Sequence, residues 1–143
     1  MIYINYLLKK IIFFGALFFI NYCLAQDVFI QGGGDLNDWA NLSKYKTDNK
    51  KLYNSGNDVK VVFMGNSITE SWSYFDSNFF SSNSYVNRGI SGQTTPQMLI
   101  RLKPDVINLN PKAVVILAGI NDIAGNTGPM EIKNIAENIQ SMA

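Results

Sequence analysis

The sequence predicts an α/β domain built on a parallel sheet. Short apolar segments typical of buried strands alternate with segments whose apolar residues recur at helical spacing. The strand-like segments are 59–64, 85–87 and 113–118, and a glycine-containing turn follows the apolar residues of each. This alternation favours parallel strands connected by helices, although three strands are few for such a sheet.

Residues 1–25 are typical of a secretory signal peptide. Lys9-Lys10 precede the apolar run 11–20, and the small residues in Cys23-Leu24-Ala25 favour cleavage before Gln26. An uncleaved anchor is one alternative, but the run is shorter than the roughly 20 residues of a membrane span. A lipid-modified Cys23 is another, disfavoured by the bulky residue before it. We therefore expect a secreted or periplasmic protein with no membrane span after cleavage.

The charge and cysteine content exclude several classes of function. The chain has 12 basic and 11 acidic residues, and residues 1–25 hold two of the lysines and no acid. The remainder has no basic stripe, so we expect no nucleic-acid partner. The single cysteine lies within 1–25 and the chain contains no histidine, which leaves neither a disulfide nor the usual zinc ligands. We expect chemistry that needs no metal and no cofactor.

Residues 26–58 are expected to lead into the domain. Helical spacing over 35–52 predicts an amphipathic helix, carried by Trp39, Leu42, Tyr45 and Leu52, and turn-forming residues at 54–58 end it.

Three further helices are predicted within 59–143. The first spans 67–77 and turns Ile68, Trp72 and Phe75 toward the sheet. The second opens at Thr95-Pro96 with Thr95 as N-cap, and Pro104 kinks or restarts it. Its apolar face comprises Met98, Leu99, Leu102, Val106, Ile107 and Leu109. The third follows 127–129, with Ile132, Ile135, Ala136 and Ile139 on one side.

Three short motifs follow the three strands: 65–69 (GNSIT), 89–94 (GISGQT) and 119–122 (GIND). Ser67 offers a hydroxyl nucleophile, although a serine there can simply cap a helix. Gly92 offers a backbone N–H that can approach a ligand closely, although it can also be an ordinary loop glycine. Asn121 offers a neutral amide donor for developing negative charge, although an Asn-Asp pair also forms turns. Because the carboxyl ends of parallel strands meet at one edge, we expect the three to share a site.

In these three motifs the sequence resembles the SGNH, or GDSL, hydrolase family of esterases and lipases. The resemblance implies a flavodoxin-like three-layer α/β/α sandwich, of which 59–143 would be the N-terminal part. It implies that Ser67 is the nucleophile and that the N–H groups of Ser67 and Gly92 and the side chain of Asn121 form the oxyanion hole. The chain departs from the family pattern at Asn66, where Asp is more usual.

The family's fourth block, Asp-x-x-His, has no counterpart in the 143 residues. In the family its His is the general base and its Asp orients that His. We therefore expect an incomplete chain with very little esterase activity of its own, because a serine hydroxyl needs a base. We also expect the apolar edge at 114–117 to be exposed and to favour aggregation.

The function expected from the resemblance is hydrolysis of acetyl or short acyl esters, such as those on carbohydrates, through an acyl-serine intermediate. A non-catalytic descendant that binds glycans or acyl compounds is the main alternative. A phosphate- or nucleotide-binding domain, with 66–69 as an anion cradle, is a third. The sequence predicts no oligomeric state.

Overall fold

The computed structural model describes residues 36–56 and 58–143. The expected signal peptide, its cleavage site and the first residues of the lead-in segment lie outside the described residues. Within the described ranges, no helix is both long enough and apolar enough to cross a membrane.

Helices and short strands alternate along the chain, as predicted. The order is a 3₁₀ turn Leu36–Asp38, α1 Lys46–Ser55, β1 Val61–Gly65, α2 Ser67–Phe75, α3 Ser77–Ser81, β2 Tyr85–Gly89, α4 Thr95–Asp105, a 3₁₀ turn Ile107–Leu109, β3 Ala113–Leu117, α5 Ile120–Ile123 and α6 Ile132–Met142.

The three strands form one parallel sheet in the order β2-β1-β3. Gly65 at the end of β1 pairs in register with Gly89 of β2 and Leu117 of β3, so the carboxyl ends of the strands are level. The predicted α/β class with a parallel sheet is confirmed. After β1 the chain forms β2 on one side of β1, and it then crosses over to form β3 on the opposite side. This change of direction creates a topological switch point between β1 and β3. Ligands of doubly wound sheets bind at such points.

Helices cover both faces of the sheet. Successive residues of a strand point to opposite faces, so β1 contributes side chains to a packed layer on each side. On one face Val62 and Met64 of β1 are fully buried and pack in one cluster with Met98 of α4 and Met142 of α6. On the other face Phe63 lies at the centre of an aromatic cluster. Its ring is 5.5 to 5.6 Å from four neighbouring rings, those of Trp72, Phe79, Phe80 and Tyr85.

The helix predicted over 35–52 is wrong in its first half. Asp38 accepts hydrogen bonds from the N–H groups of Leu42 and Ser43, and Asn41 has a φ of +53°. These local bonds compete with a helix ladder, so the segment forms turns and α1 begins only at Lys46. The predicted end is confirmed, since Gly56 caps α1 in the left-handed conformation at a φ of +62°.

The helix predicted over 67–77 exists, but its predicted inner face is largely wrong. Ile68 is 62% exposed and Phe75 is 87% exposed, whereas Trp72 does contact the aromatic cluster. Thr69 faces the sheet instead and is buried. A small side chain occupies this position because α2 lies too close to Gly65 and Gly89 at the strand ends for a large one.

The second predicted helix begins one residue earlier than expected. Thr94 is the N-cap of α4, and its N–H donates to the Gln97 side chain at 3.0 Å. Thr95 is not the N-cap, because its hydroxyl is engaged by Asp122 at 2.6 Å. The helix ends at Asp105, one residue after Pro104.

The apolar residues predicted for α4, for the 3₁₀ turn after it and for α6 divide between core and surface. Met98, Leu99, Leu102, Val106 and Leu109 contribute to the core as predicted, whereas Ile107 is exposed. In α6, Ile135 and Ile139 pack inward with Met142, whereas Ile132 and Ala136 face outward. Two of the four residues predicted for the inner face of α6 therefore lie on it, and Met142 extends that face toward the C-terminus of the helix.

Strand β3 lies at one edge of the sheet, and its apolar side chains are unusually accessible. Val114, Val115 and Leu117 are 40%, 45% and 46% exposed. Within the described ranges no strand pairs with the outer side of β3. This agrees with the exposed apolar edge expected from the sequence.

Candidate active site

The three predicted site residues follow the carboxyl ends of the three strands. Ser67 begins α2 directly after β1, Gly92 lies in the loop after β2, and Asn121 lies in α5 after β3. Since the strands are parallel and level, all three residues lie at the same edge of the sheet. Ser67 and Asn121 flank the switch point between β1 and β3.

Ser67 occupies the first position of α2 and is half-buried. Its hydroxyl makes no hydrogen bond to any residue that the structure describes, so it does not serve as the helix cap. The preceding residue is the cap, because Asn66 Oδ1 accepts from the N–H of Ile68 at 3.4 Å. Helix capping, the alternative role that the sequence left open for Ser67, is thus performed by Asn66.

Glycines at the strand ends allow α2 to approach the sheet closely. A Cβ at Gly65 would lie 2.1 Å from Thr69 Oγ1, and a Cβ at Gly89 would lie 2.1 Å from the backbone nitrogen of Glu70. Real Cβ atoms essentially never approach this closely, so any larger residue would displace α2. The first glycine of the first two motifs therefore fixes where α2, and Ser67 at its start, sits above the sheet.

The loop that carries Gly92 is held by contacts on both sides. The N–H of Ile90 donates to Gly65 O at 3.0 Å, which ties the loop to the end of β1. The Asn126 side chain donates to Gly92 O at 3.0 Å. Gly92 itself has a φ of +77°, a conformation that favours glycine, and no described residue accepts its N–H. That N–H is a free donor at the edge of the sheet.

Asn121 lies beside the Gly92 loop. Its side-chain Nδ2 donates to Gln93 O at 2.9 Å, so the amide is oriented by the residue that follows Gly92. An amide nitrogen carries two hydrogens, which leaves one for a ligand. The next residue, Asp122, is buried and accepts from Thr95 N at 2.9 Å, which locks the third motif to the start of α4.

Glu70 connects α2 to the same loop. Its carboxylate accepts hydrogen bonds from the N–H and hydroxyl of Ser91 and from Lys44 Nζ. Partial burial would by itself raise the pKa of Glu70, but the hydrogen bonds from Lys44 and Ser91 outweigh it and hold that pKa below its ordinary value. A charged Glu70 therefore fixes the loop relative to the serine helix.

Residues 39–45, which precede the first strand, also contact the site. Gln93 Nε2 donates to Ala40 O at 2.7 Å, and Gln97 Nε2 donates to Trp39 O at 2.8 Å. The Tyr45 hydroxyl donates to Gly89 O, and burial raises the pKa of Tyr45 to about 12. We call residues 39–45 the strap, because they hydrogen-bond to the second motif at two points, through Ala40 to Gln93 and through Tyr45 to Gly89.

The sequence analysis missed Arg101, which is fully buried beneath the loop. Its guanidinium donates to Gly65 O at 3.0 Å, to Arg88 O at 2.8 Å, to Asp105 Oδ2 at 3.1 Å and to the Gln93 side chain. A signal was present, because Arg101 and Asp105 share the helix face of Met98 at spacings of three and four residues. A charged pair on an apolar helix face indicates a buried polar network.

A shallow groove begins at Ser67. It has a volume of about 420 Å³ and is lined by Ser67, Ile68, Ser71, Trp72 and Phe75. A larger cavity of about 810 Å³ lies between α1 and the C-terminal end of α4, and none of the three predicted site residues lines it. Within 36–56 and 58–143, no three His, Cys, Asp or Glu side chains cluster closely enough to hold a metal ion.

The arrangement offers a free hydroxyl, a free backbone N–H and an oriented amide at one edge of a parallel sheet. This is the set of groups that acyl transfer through a serine requires, apart from a general base. The roles of Ser67, Gly92 and Asn121 stay predictions.

Comparisons with known proteins agree with this fold. Residues 63–143 match the family model of the GDSL-like lipase/acylhydrolases. A Bacteroides fragilis protein assigned as an acylhydrolase is 49% identical with a TM-score of 0.68, and a GDSL-like lipase from Bacteroides thetaiotaomicron is 48% identical with a TM-score of 0.65. Each alignment covers 73% of this chain and 50% or 51% of the other, so the chain spans about half the length of these structures.

A more distant structure shares the fold. A protein assigned as a platelet activating factor from Streptococcus pneumonia is 22% identical with a TM-score of 0.57, over 86% of this chain and 52% of the other. No curated protein matches the chain significantly. With a family model that covers more than half of its residues, the chain belongs to the GDSL-like lipase/acylhydrolase family.

Proposed function

We propose that this chain supplies the nucleophile and the oxyanion-binding groups of a serine ester hydrolase. The observation that carries the proposal is the hydrogen bond of 2.9 Å from Asn121 Nδ2 to Gln93 O. It holds the amide of the third motif against the loop of the second, next to the free N–H of Gly92. Membership of the acylhydrolase family supports the same reaction class.

In the proposed reaction Ser67 Oγ attacks the carbonyl carbon of an ester and loses its proton to a base. The carbonyl oxygen becomes an oxyanion, which accepts hydrogen bonds from the N–H groups of Ser67 and Gly92 and from Asn121 Nδ2. Collapse of this intermediate expels the alcohol, which takes up the proton, and leaves an acyl group on Ser67. Water then attacks the acyl-serine and releases the acid.

The base in this scheme is not a histidine of this chain, since none of the 143 residues is a histidine. A serine hydroxyl is a weak nucleophile at neutral pH without a base. We therefore propose that the chain by itself hydrolyses esters only slowly, at most about 10³- to 10⁴-fold faster than water, the residual catalysis of serine hydrolases that lack a triad member.

We propose acetyl or short acyl esters, such as those on carbohydrates, as the substrates, and a secreted or periplasmic location. The groove beside Ser67 is shallow, and the sequence from 26 to 143 contains no long apolar segment that could form a lid over a lipid chain. The signal-like residues 1–25 support export.

The proposal is tested by labelling with a fluorophosphonate in the presence and absence of added imidazole, which can replace a missing base. We expect imidazole to accelerate the formation of a single adduct, located at Ser67 by mass spectrometry. Ser67→Ala should abolish the adduct. Ser71→Ala is the matched control, because Ser71 lies one turn further along α2 in the same groove and should leave labelling unchanged.

Labelling at another residue, or no acceleration by imidazole, would contradict the proposal. The second outcome would favour the alternative of a non-catalytic domain that binds glycans or acyl compounds. A phosphate cradle at 66–69 has less support, because the Asn66 side chain already accepts the N–H of Ile68.

A further inference from the structure

We propose that Arg101, acting through Gln93, is a positioning residue for the oxyanion-binding donors at Gly92 and Asn121. The inference rests on the proposed function and adds a residue to it. Arg101 lies beneath the site rather than in it, so its effect would be on geometry and not on the reacting atoms.

Arg101 joins the two turns that carry Ser67 and Gly92. One guanidinium nitrogen donates to Gly65 O at 3.0 Å, two residues before Ser67. Another donates at 2.8 Å to Arg88 O, near the end of β2. The third, Nε, donates to the Gln93 side chain, one residue after Gly92. A single rigid group thus connects both strand ends and the loop between them.

Gln93 transmits this connection to both donors. Its side chain is held at both ends, since Oε1 accepts from Arg101 and Nε2 donates to Ala40 O of the strap at 2.7 Å. Its main chain follows Gly92 directly, and its carbonyl accepts from Asn121 Nδ2 at 2.9 Å. With the side chain fixed, the carbonyl that orients Asn121 and the peptide next to Gly92 are fixed too.

The bonding pattern requires an arginine. The guanidinium is planar and presents its donors in fixed directions, whereas a lysine ammonium is a compact charge with rotatable donors. A lysine cannot reach two strand carbonyls and the Gln93 amide in one plane. Burial lowers the pKa of Arg101, whereas the Asp105 carboxylate at 3.1 Å acts to raise it. The positive charge of the guanidinium is therefore compensated by an adjacent negative charge.

Arg88 provides a matched control. Like Arg101 it is a buried arginine, with 4% of its surface exposed, but it lies near the end of β2. Its side chain donates to Asn49 Oδ1 at 2.9 Å and to Asn87 O at 2.7 Å, and none of its side-chain bonds reaches the loop at 90–93. Arg88→Lys therefore makes the same chemical change at similar burial without touching Gln93.

The test compares wild type, Arg101→Lys and Arg88→Lys in dilute solution. Phenylboronic acid is the probe: its boron binds the Ser67 oxygen, one proton goes to solvent, and the tetrahedral anion formed resembles the oxyanion intermediate. Amide NMR reports the positions of the Gly92 N–H and the Asn121 side-chain N–H groups in the free protein. Urea unfolding reports stability.

We expect Arg101→Lys to shift the Gly92 and Asn121 signals and to weaken phenylboronic acid binding by about tenfold, a smaller effect than the removal of an oxyanion donor. We expect Arg88→Lys to lower stability comparably while binding stays within about twofold of wild type. If Arg101→Lys does not fold, Gln93→Met, which removes both side-chain bonds at similar volume, should give the same shifts and the same weakening.

Unshifted signals in the Arg101 or Gln93 variant, or equal weakening in Arg88→Lys, would overturn the inference. If wild type fails to bind phenylboronic acid, the proposed function fails. The Gly92 and Asn121 signals of the free variants still decide whether Arg101 positions these groups.

Discussion

The close approach of α2 to the sheet predicts that Gly89→Ala destabilises the protein strongly. The added Cβ would lie 2.1 Å from Glu70 N, 2.6 Å from Glu70 Cα and 2.7 Å from the carbonyl carbon of Thr69. All three atoms belong to the backbone of α2, so no side-chain rotation can relieve the contact. Ordinary contact begins at 3.4 Å, and α2 must therefore move by about 1.3 Å.

The magnitude follows from the cost of forcing extra volume into a packed site. Overpacking costs about 1–3 kcal/mol, and backbone atoms place this case at the upper end. Replacing glycine with alanine recovers about 0.4–1 kcal/mol by restricting the unfolded chain. We expect the free energy of unfolding to fall by about 2–3 kcal/mol. Because α2 begins at Ser67, the same shift would displace the proposed nucleophile.

Urea unfolding followed by tryptophan fluorescence, in dilute solution, measures this effect. Gly56→Ala is the control: Gly56 has a φ of +62° and a Cβ added there would have no neighbour within 4 Å, so it tests backbone strain without collision. We expect a loss of about 1 kcal/mol for the control. A Gly89→Ala protein as stable as Gly56→Ala would show that α2 can shift freely and would refute the packing argument.

Three other substitutions test individual contacts. Tyr45→Phe should cost about 1 kcal/mol near neutral pH through the lost hydrogen bond; because the folded state raises the pKa of Tyr45 to about 12, the wild-type advantage should disappear as pH rises from about 10 to about 12, measured by urea unfolding of both proteins. Glu70→Gln should cost about 1 kcal/mol at neutral pH. Since the folded state lowers the pKa of Glu70, that difference should vanish as pH falls below the ordinary value of 4.5, and a difference that grows toward acid pH would contradict this account. Val115→Lys should slow aggregation in light scattering, because a charge on an edge strand opposes pairing; Ile100→Lys, at a similarly exposed helix position, should not.

The predicted fold and the place of the candidate site depended on local patterns. Apolar runs of strand length and the turns after them located all three strands to within two residues of their observed ends. The same turns carried Ser67, Gly92 and Asn121, and a parallel sheet necessarily brings its strand ends to one edge. These features are encoded by neighbours in the sequence, so the sequence was enough to predict them.

The face that each helix presents to the core was less predictable. Apolar spacing alone pointed Ile68 and Phe75 at the sheet, but the glycines at the strand ends bring α2 so close that Thr69 faces it instead. The start of α1 was likewise misplaced, because the Asp38 side chain bonds to the backbone that the helix would have used. Both errors arise from contacts that cannot be predicted from the spacing of apolar residues along the sequence.

The sequence by itself determined the fold class, the three motifs and the chemical groups they carry, because each depends on a short run of residues. Only the tertiary structure revealed what holds those groups in place: the Arg101 guanidinium, the Gln93 side chain and the strap carbonyl of Ala40. Ala40 and Gln93 lie 53 residues apart in the chain and are brought together by folding, and no local pattern records a hydrogen bond over that distance.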